Sequence, residues 1–326
     1  MSPLSSTRLA EALAALRGGE VIGLPTETVY GLAADAANAE AVKKIFALKG
    51  RPADHPLIVH IASSDALPQW ARVVPEAAWK LAQAFWPGPL TMILRKQASV
   101  PDVVTGGQDT VGLRCPAHPI ALQLLREFAG GLAAPSANRF GRISPTTAAH
   151  VRDEFGAGVP IVLDGGDCEV GIESTIVDLS GDVPRILRPG MISQEQIETV
   201  IGAVAVGGDH ASPRASGTLD AHYAPRTPML MLARTALLAE AQQQRALGKR
   251  VAVLMFDALV DDNEGIVLPG HPDAVAHGLY AALRTLDAMA ANILLVERPP
   301  EGIAWLAVND RLRRAAVGAG PDDDAP

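Results

Sequence analysis

The sequence predicts an α/β protein in two parts. Short apolar runs, typical of buried strands, alternate with segments whose apolar residues recur at helical spacing, first over residues 1–203 and again over 229–318. Between them, residues 204–228 are rich in Gly, Ala, Ser, Pro and His and show no sustained apolar period, which is typical of a linker. With 326 residues, the chain is long enough for two domains of about 100–200 residues each.

The first predicted elements are a scaffold helix and a buried strand. Ser6 or Thr7 caps the helix, its apolar residues face one way, and a Gly-Gly pair ends it. Residues 20–24 form the strand. It runs into a hydroxyl-rich turn, Pro-Thr-Glu-Thr-Val-Tyr-Gly-Leu at 25–32.

A second helix brings two cations beside this turn. Asn38 caps it and Lys49 ends it, with Arg51 close behind. Hydroxyls and free backbone N–H groups at a strand-to-helix turn can hold phosphate or carboxylate oxygens, and Lys and Arg neutralise them. A tight turn followed by a solvated basic helix end explains the same residues without a ligand.

Strands and helices continue to alternate up to residue 128. We predict strands at 56–62, 90–95 and 110–115 and helices at 76–85 and 119–128. His60 is the polar residue of the first of these strands, and a lone His there is more often a satisfied core side chain than a ligand. Arg114 stands at the end of an apolar strand, where its guanidinium needs a buried partner or a ligand carboxylate or phosphate.

A long polar loop follows a short strand at 132–135. Its small residues allow close backbone approach to a ligand, and its hydroxyl and amide groups supply donors. A connecting loop rich in helix caps is the alternative. Before the helix that begins near Thr146, the loop carries Ser136, Asn138, Arg139, Arg142 and Ser144.

The remaining elements end in a small second domain. Strands at 160–163, 171–178 and 185–190 precede a helix capped by Ser193, and Ser174 and Arg188 lie on the last two of these strands. Beyond the linker, strands at 229–232, 251–256, 265–268 and 292–297 alternate with helices at 235–247, 273–291 and 310–316, which predicts a parallel core. We find no Gly-x-Gly-x-x-Gly or Walker A motif there and expect an accessory domain.

Composition narrows the possible functions. The net charge of −8 argues against a broad basic surface for nucleic acid, and 4% aromatic residues argue against repeated stacking platforms; a local basic pocket remains open. Cys115 and Cys168 lack metal-ligand spacing, so we expect reduced thiols in a cytosolic protein. We expect no signal peptide and no membrane span, and we interpret residues 319–326 as an acidic tail.

The polar clusters favour chemistry by positioning. The sequence shows no Ser-His-Asp order, His-Glu-x-x-His or paired carboxylates, so covalent catalysis and protein-bound zinc are poorly supported. An enzyme that joins an acid to a nucleotide phosphate needs mainly cations and donors that bring two anions together.

Six ordered motifs closely resemble the threonylcarbamoyl-AMP synthase (YrdC-like) family. They are Pro-Thr-Glu-Thr-Val-Tyr-Gly-Leu at 25–32, Lys-Gly-Arg-Pro at 49–52 with Pro-Leu at 56–57, Gly-Leu-Arg at 112–114, Ala-Pro-Ser-Ala-Asn at 134–138, Gly-Ile-Glu-Ser-Thr at 171–175 and Leu-Arg-Pro-Gly at 187–190. His-Tyr-Ala-Pro at 222–225 and the C-terminal domain resemble the longer, two-domain form. The resemblance implies a twisted mixed sheet with a basic concave pocket, plus a smaller Rossmann-like domain.

The resemblance also implies an activity. Members convert L-threonine, bicarbonate and ATP to threonylcarbamoyl-AMP and pyrophosphate, for the threonylcarbamoyladenosine of tRNA. Mg²⁺ would be held mainly by the ATP phosphates, and the product would pass to downstream tRNA threonylcarbamoyltransferase proteins. Cytoplasmic location, no membrane contact and weak or no direct tRNA binding complete this expectation.

Site residues are carried over from the matched motifs. The threonine side comprises Thr28, His60, Arg114, Ala134 and Ser174. The ATP side comprises Lys49, Arg51, His55, Thr110, Ser136, Asn138, Ser144, Arg188 and Tyr223. Lys49 and Arg51 would position the phosphates, and no catalytic residue is assigned.

Two positions depart from the family pattern. His55 stands where Asn is expected, and Ala-Ser-Gly at 215–217 replaces the more usual Ser-Pro-Gly of the linker. In the family this linker crosses the pocket mouth, so Tyr223 would act as a lid contact that keeps a labile adenylate from water.

Two other functions compete with this one. An RNA-binding module without synthase activity is disfavoured by the acidic charge and the few aromatic residues. A carbamoyl-transfer domain of the hydrogenase-maturation type shares the fold, but such proteins normally carry acylphosphatase and zinc-finger regions, which this sequence lacks.

Overall fold

The computed structural model describes residues 5–259 and 264–321. It contains two compact units, one of Met1–Phe140 and Pro145–Thr218 and one of Gly141–Ser144 and Leu219–Pro326. The unit boundary after Thr218 therefore falls inside the predicted linker. Residues 322–326 of the predicted acidic tail lie outside the described residues.

The first unit is built on a mixed sheet. Its strands are β1 (Ile22–Leu24), β2 (Gly31–Asp35), β3 (Ile58–His60), β4 (Leu90–Arg95), β5 (Thr110–Arg114), β6 (Leu132–Ala133), β7 (Thr175–Asp178), β8 (Arg185–Arg188) and β9 (Ala205–Val206). They pair in the order β1-β2-β6-β3-β5-β4-β7-β8-β9. The sheet contains parallel pairs such as β3 with β5 and antiparallel pairs such as β4 with β5, which confirms the predicted mixed α/β class.

Helices cover both faces of this sheet. They are α1 (Ser6–Arg17), α2 (Ala39–Lys49), α3 (Leu67–Trp70), α4 (Glu76–Phe85), α5 (Asp102–Thr105), α6 (Pro119–Phe128), α7 (Ala148–Phe155) and α8 (Gln194–Ile201). Along β2, Leu32 and Ala34 belong to the buried cluster that contains α2, whereas Ala33 belongs to the cluster that contains α1 and α6. Alternation along the strand thus divides the core into two layers.

Helix α2 begins and ends where the sequence predicts. The Asn38 side chain accepts hydrogen bonds from the backbone N–H groups of Glu40 and Ala41. At the other end, Gly50 adopts a left-handed conformation with φ of 62° and turns the chain away. Lys49 is therefore the last helical residue, and Arg51 follows the turn.

Two predictions about strands were wrong. Residues 31–35 form strand β2. The hydroxyl-rich turn that follows β1, here called the motif turn (residues 25–30), therefore connects two antiparallel strands and not a strand to a helix. Gly and Ala have low β-propensity, and pairing with β1 and β6 decides this segment. Conversely, the predicted strand at 160–163 contributes a single bridge between Val162 and Gly23.

The second unit holds a parallel sheet, as predicted. Strands β10 (Met229–Leu232), β11 (Val251–Phe256), β12 (Gly265–Leu268) and β13 (Ile293–Glu297) pair in the order β10-β13-β11-β12. Its helices are α9 (Arg234–Ala246), α10 (Pro272–Ala288) and α11 (Leu306–Gly318), the last beginning earlier than expected. Within 5–259 and 264–321, no helix is long and apolar enough to cross a membrane.

Candidate functional site

The turn between β1 and β2 is buried and stabilised by its own hydroxyl groups. Thr26 Oγ1 donates to the carbonyl O of Val29 at 2.6 Å and accepts from the N–H groups of Thr28 and Val29 at 3.2 Å. The same oxygen lies 2.9 Å from Thr28 Oγ1. Because these bonds satisfy the turn internally, the Thr28 hydroxyl has a fixed position.

Arg114, at the end of β5, binds this turn. Its Nη1 donates to Thr28 Oγ1 at 2.8 Å, and its Nε donates to the carbonyl O of Gly88 at 3.3 Å. Its Nη2 forms an ion pair with Glu27 Oε1 at 2.6 Å, with angles outside the range of a hydrogen bond. Both side chains are 5% exposed. The buried partner expected for Arg114 is therefore Glu27, which is not among the predicted site residues.

His60 lies opposite Arg114 in the parallel pairing of β3 with β5. Its side chain is buried, and Nδ1 has no hydrogen-bond partner among the described residues. Burial, and next the charge of Arg114, lower the pKa of His60 to about 3. The imidazole is consequently neutral near pH 7, with one ring nitrogen available.

Ser174 contacts side chains on two strands, Thr91 on β4 and Arg188 on β8. Its Oγ lies 2.8 Å from Thr91 Oγ1 on β4, and Arg188 Nη2 donates to Ser174 Oγ at 3.2 Å and to Ser174 O at 2.9 Å. Thr91 is fully buried and had not been predicted as a site residue. Its hydroxyl group, on a strand of mainly apolar residues, is the feature of the sequence that could have indicated a polar site there.

Ala134 lies in the loop that follows β6, and this loop is attached to the motif turn. The N–H of Ala134 donates to Ile58 O at 3.0 Å, and the N–H of Ala137 donates to Tyr30 O at 2.8 Å. The bond from Ala137 holds Ser136 and Asn138 beside the turn that contains Thr28, and the bond from Ala134 joins the same loop to β3.

Lys49 is buried against this loop. Its Nζ donates to the carbonyl oxygens of Ser136 at 2.5 Å and Asn138 at 2.6 Å. Burial, and next the charge of Arg51, hold the pKa of Lys49 well below its usual range. A phosphate group close to Nζ would restore the preference for the charged form.

Arg51 and His55 share an aromatic neighbour. The Arg51 guanidinium carbon lies 5.7 Å from the centre of the Phe140 ring, and Arg51 Nη2 donates to Pro56 O at 3.1 Å. The His55 ring meets Phe140 edge-on, with 5.2 Å between ring centres. Burial, and next Arg51, lower the pKa of His55.

Thr110 borders a small cavity that the linker closes. The cavity is about 20 Å³, room for about one water molecule. Arg214 Nη2 donates to Gly106 O at 2.7 Å, and Arg188 Nη1 donates to Ser216 O at 2.9 Å, so both linker residues are anchored to the first unit. The walls also include Thr91, Gly112 and Ile176.

Ser144 and Tyr223 belong to the second unit. Tyr223 is buried, has φ of 62°, stacks on Tyr280 with 5.6 Å between ring centres, and faces the Arg311 guanidinium at 5.2 Å. The carbonyl O of Ser144 accepts from Arg284 Nε at 3.4 Å.

In the first unit, contacts link some of the predicted residues to the turn between β1 and β2, while Ser174 forms separate contacts with Thr91 and Arg188. Thr28 and Arg114 are in direct contact, His60 pairs with Arg114 across the sheet, and Lys49 contacts Ser136 and Asn138. Glu27 is absent from the predicted site residues, although its position between two threonines of the motif at 25–32 indicates a polar site. A buried carboxylate needs a cation nearby.

No cluster of three or more His, Cys, Asp or Glu side chains that could hold a metal ion occurs within the part of the chain that the structure describes. The two cysteines are buried and free, and burial raises the pKa of Cys115 to about 11. Neither thiol is suited to act as a nucleophile at neutral pH.

Family models match both parts of the chain. Residues 14–190 match the Sua5/YciO/YrdC model, which is described as "Telomere recombination". Residues 192–317 match the Sua5 C-terminal model, which is described as "Threonylcarbamoyl-AMP synthase, C-terminal domain".

Individual relatives agree with these matches. The chain is 41% identical to the threonylcarbamoyl-AMP synthase of Pyrococcus abyssi over 92% of each protein, and 41% identical to that of Bacillus subtilis over 95% of this chain and 93% of the relative. The crystal structure of P. abyssi Sua5 complexed with L-threonine superposes with a TM-score of 0.92 at 39% identity, covering 98% of this chain and 97% of that one.

Proposed function

Because the chain belongs to the threonylcarbamoyl-AMP synthase family with a Sua5/YrdC domain and a Sua5 C-terminal domain, we propose that it converts L-threonine, bicarbonate and ATP to threonylcarbamoyl-AMP and pyrophosphate. The product serves the threonylcarbamoyladenosine modification of tRNA. The observation that carries the proposal is the buried set of cations and hydroxyls around the turn between β1 and β2.

The overall reaction defines what the site must do. One N–C bond forms between the threonine nitrogen, once its ammonium group has lost a proton to solvent, and the bicarbonate carbon, as a C–O bond of bicarbonate breaks and water leaves. One O–P bond then forms between the carbamate and the α-phosphate, and pyrophosphate leaves. Both steps bring anions together, so fixed cations and neutral donors lower the barrier by positioning and by stabilising developing charge.

Threonine binding is proposed for the group around Arg114. The Arg114 guanidinium would hold the substrate carboxylate, and Thr28 and Ser174 supply hydroxyls whose positions are fixed by hydrogen bonds. The neutral ring of His60 can accept or donate through Nδ1 without adding charge. Ala134 offers a small side chain and its backbone carbonyl.

ATP binding is proposed for the remaining predicted residues. The buried cations Lys49, Arg51 and Arg188 would neutralise phosphate oxygens, while Thr110, Ser136 and Asn138 offer neutral groups. Burial lowers the pKa of His55, whose ring nitrogens would be offered to ATP. Ser144 and Tyr223 stay predictions from the family resemblance, as does a lid role for residues 204–228.

Further parts of the proposal concern the surroundings of the reaction. The described residues supply no carboxylate cage for Mg²⁺, so the ion would arrive with the ATP phosphates, where it would offset their charge. Because the net charge is −8, we propose weak or no direct tRNA binding. We also propose, from the family resemblance, that the product passes to a tRNA threonylcarbamoyltransferase and that the protein is cytoplasmic.

The decisive experiment measures pyrophosphate release from ATP and bicarbonate with and without L-threonine. We expect release to depend on threonine. Release that is independent of threonine would contradict the assignment. Steeply salt-dependent tRNA binding without threonine-dependent release would instead favour an RNA-binding module.

A further inference from the structure

Glu27 is a buried carboxylate that can accept more hydrogen bonds than the described residues supply. Its Oε1 lies 2.6 Å from Arg114 Nη2, but Oε2 has no hydrogen-bond partner among the described residues, and the side chain is 5% exposed. An ionised carboxylate has about four acceptor positions. Leaving one of its oxygens buried without a partner is unfavourable, and such a group in a native structure commonly has a functional reason.

The two halves of the proposed site differ in charge. On the threonine side, Thr28, Ala134 and Ser174 are uncharged and the pKa of about 3 keeps His60 neutral, so Arg114 is the charged member of that set. Glu27 balances it. The ATP-side set contains the buried basic residues Lys49, Arg51 and Arg188, and the carboxylates of Glu154 and Glu173 are close enough to act on Lys49. On the threonine side, the pair of Arg114 and Glu27 suits a neutral zwitterion.

We propose that Glu27 determines specificity by making the Arg114 site select an amino acid zwitterion over a simple carboxylate; this rests on the proposed function. Arg114 provides the positive end for the substrate carboxylate, and Glu27 provides the negative end for the substrate ammonium. Thr28, which follows Glu27 in the turn and accepts from Arg114 Nη1, fixes the spacing of the two charges.

The charge of Glu27 explains why the site would prefer a ligand with an ammonium group over a plain anion. Charges interact far more strongly in a water-poor site than in bulk water, so the carboxylate of Glu27 favours an ammonium group beside it and disfavours a second anion on Arg114. With Gln at this position, Arg114 would be a plain anion site. Bicarbonate and small carboxylates would then compete with threonine.

The test uses two ligands that differ in one group. (R)-3-Hydroxybutyrate keeps the carboxylate and hydroxyl of L-threonine but lacks the ammonium. Dissociation constants of both are measured by calorimetry on the full chain, for the wild type, Glu27→Gln, Glu27→Asp and the exposed control Glu195→Gln. We expect Glu27→Gln to reduce the preference for threonine by about tenfold or more, because a site built for a polar group rejects ligands that lack it.

The other variants complete the comparison. Glu27→Asp, which keeps the charge, should retain the wild-type preference within about threefold, and Glu195→Gln should leave it unchanged. If Glu27→Gln weakened the binding of both ligands equally, the inference would be overturned, because a purely structural role for Glu27 predicts an equal loss of affinity. If Glu27→Gln does not fold, a wild type that binds both ligands equally overturns it. A wild type that binds neither would instead overturn the proposed function.

Discussion

Lys49 and Asn138 stand 89 residues apart in the chain, yet Lys49 Nζ donates a hydrogen bond to the carbonyl O of Asn138 at 2.6 Å. The same Nζ bonds the carbonyl O of Ser136. A single buried amino group therefore joins the end of α2 to the loop after β6 and orders that loop.

Replacing Lys49 should damage ATP binding selectively. Lys49→Ala removes the cation and both loop contacts, so we expect the KM for ATP to rise by about tenfold or more, since charge-assisted bonds to phosphate are the strong ones. Lys43→Ala is the matched control, because Lys43 lies on the same helix, is exposed and pairs with Glu40. Similar KM values for ATP in the two variants would contradict the placement of Lys49.

Replacing Arg114 should abolish the threonine dependence of pyrophosphate release. The control is Arg72→Ala, because Arg72 is exposed and forms a surface pair with Asp109; its activity should remain near normal. Equal loss in both variants would count against the site.

Stability can be separated from function at the same position. Removing Arg114 alone leaves Glu27 buried without its cation, a change that costs about 3–5 kcal/mol in other proteins. The double variant Arg114→Gln with Glu27→Gln should therefore recover much of the unfolding free energy, measured in urea, without recovering threonine dependence. Recovery of both would contradict a substrate role for Arg114.

His60 should make the fold sensitive to acid. The folded protein holds its pKa at about 3, whereas the unfolded chain has the ordinary value of 6.5. Between these values the unfolded state binds one more proton, so falling pH favours unfolding, by at most about 1.4 kcal/mol per pH unit from this group. The unfolding free energy of His60→Gln should therefore depend less steeply on pH between these values than that of the wild type. The variant His210→Gln, at an exposed position, should keep the wild-type dependence. An unchanged slope in His60→Gln would contradict the buried neutral ring.

Thr91 should matter through Ser174. Thr91→Val keeps the shape but removes the hydroxyl 2.8 Å from Ser174 Oγ, so we expect a loss of about 1 kcal/mol in unfolding free energy and weaker L-threonine binding by about threefold to tenfold. Thr105→Val, at a buried threonine that bonds Asp102 O, is the control for stability alone. Equal loss of threonine affinity in both would remove Thr91 from the site.

Much of the architecture could be predicted because it is local. Helices α4, α6 and α8 and strands β4, β10, β11 and β12 follow from apolar spacing, caps and Pro or Gly stops, and the structure has them at the expected positions. Strand β2 could not be predicted in this way. Its Gly-Leu-Ala-Ala-Asp sequence has weak strand propensity, and its place between β1 and β6 decides its conformation.

The fold class, the family motifs and the residue types of an anion site can be predicted from the amino-acid sequence, because these depend on short patterns of side chains. The pairing of Glu27 with Arg114, the contact of Thr91 with Ser174 and the bond from Lys49 to the loop at Asn138 are seen in the folded chain alone. These contacts join segments far apart in sequence, and they depend on strand order and register, which local propensity does not encode.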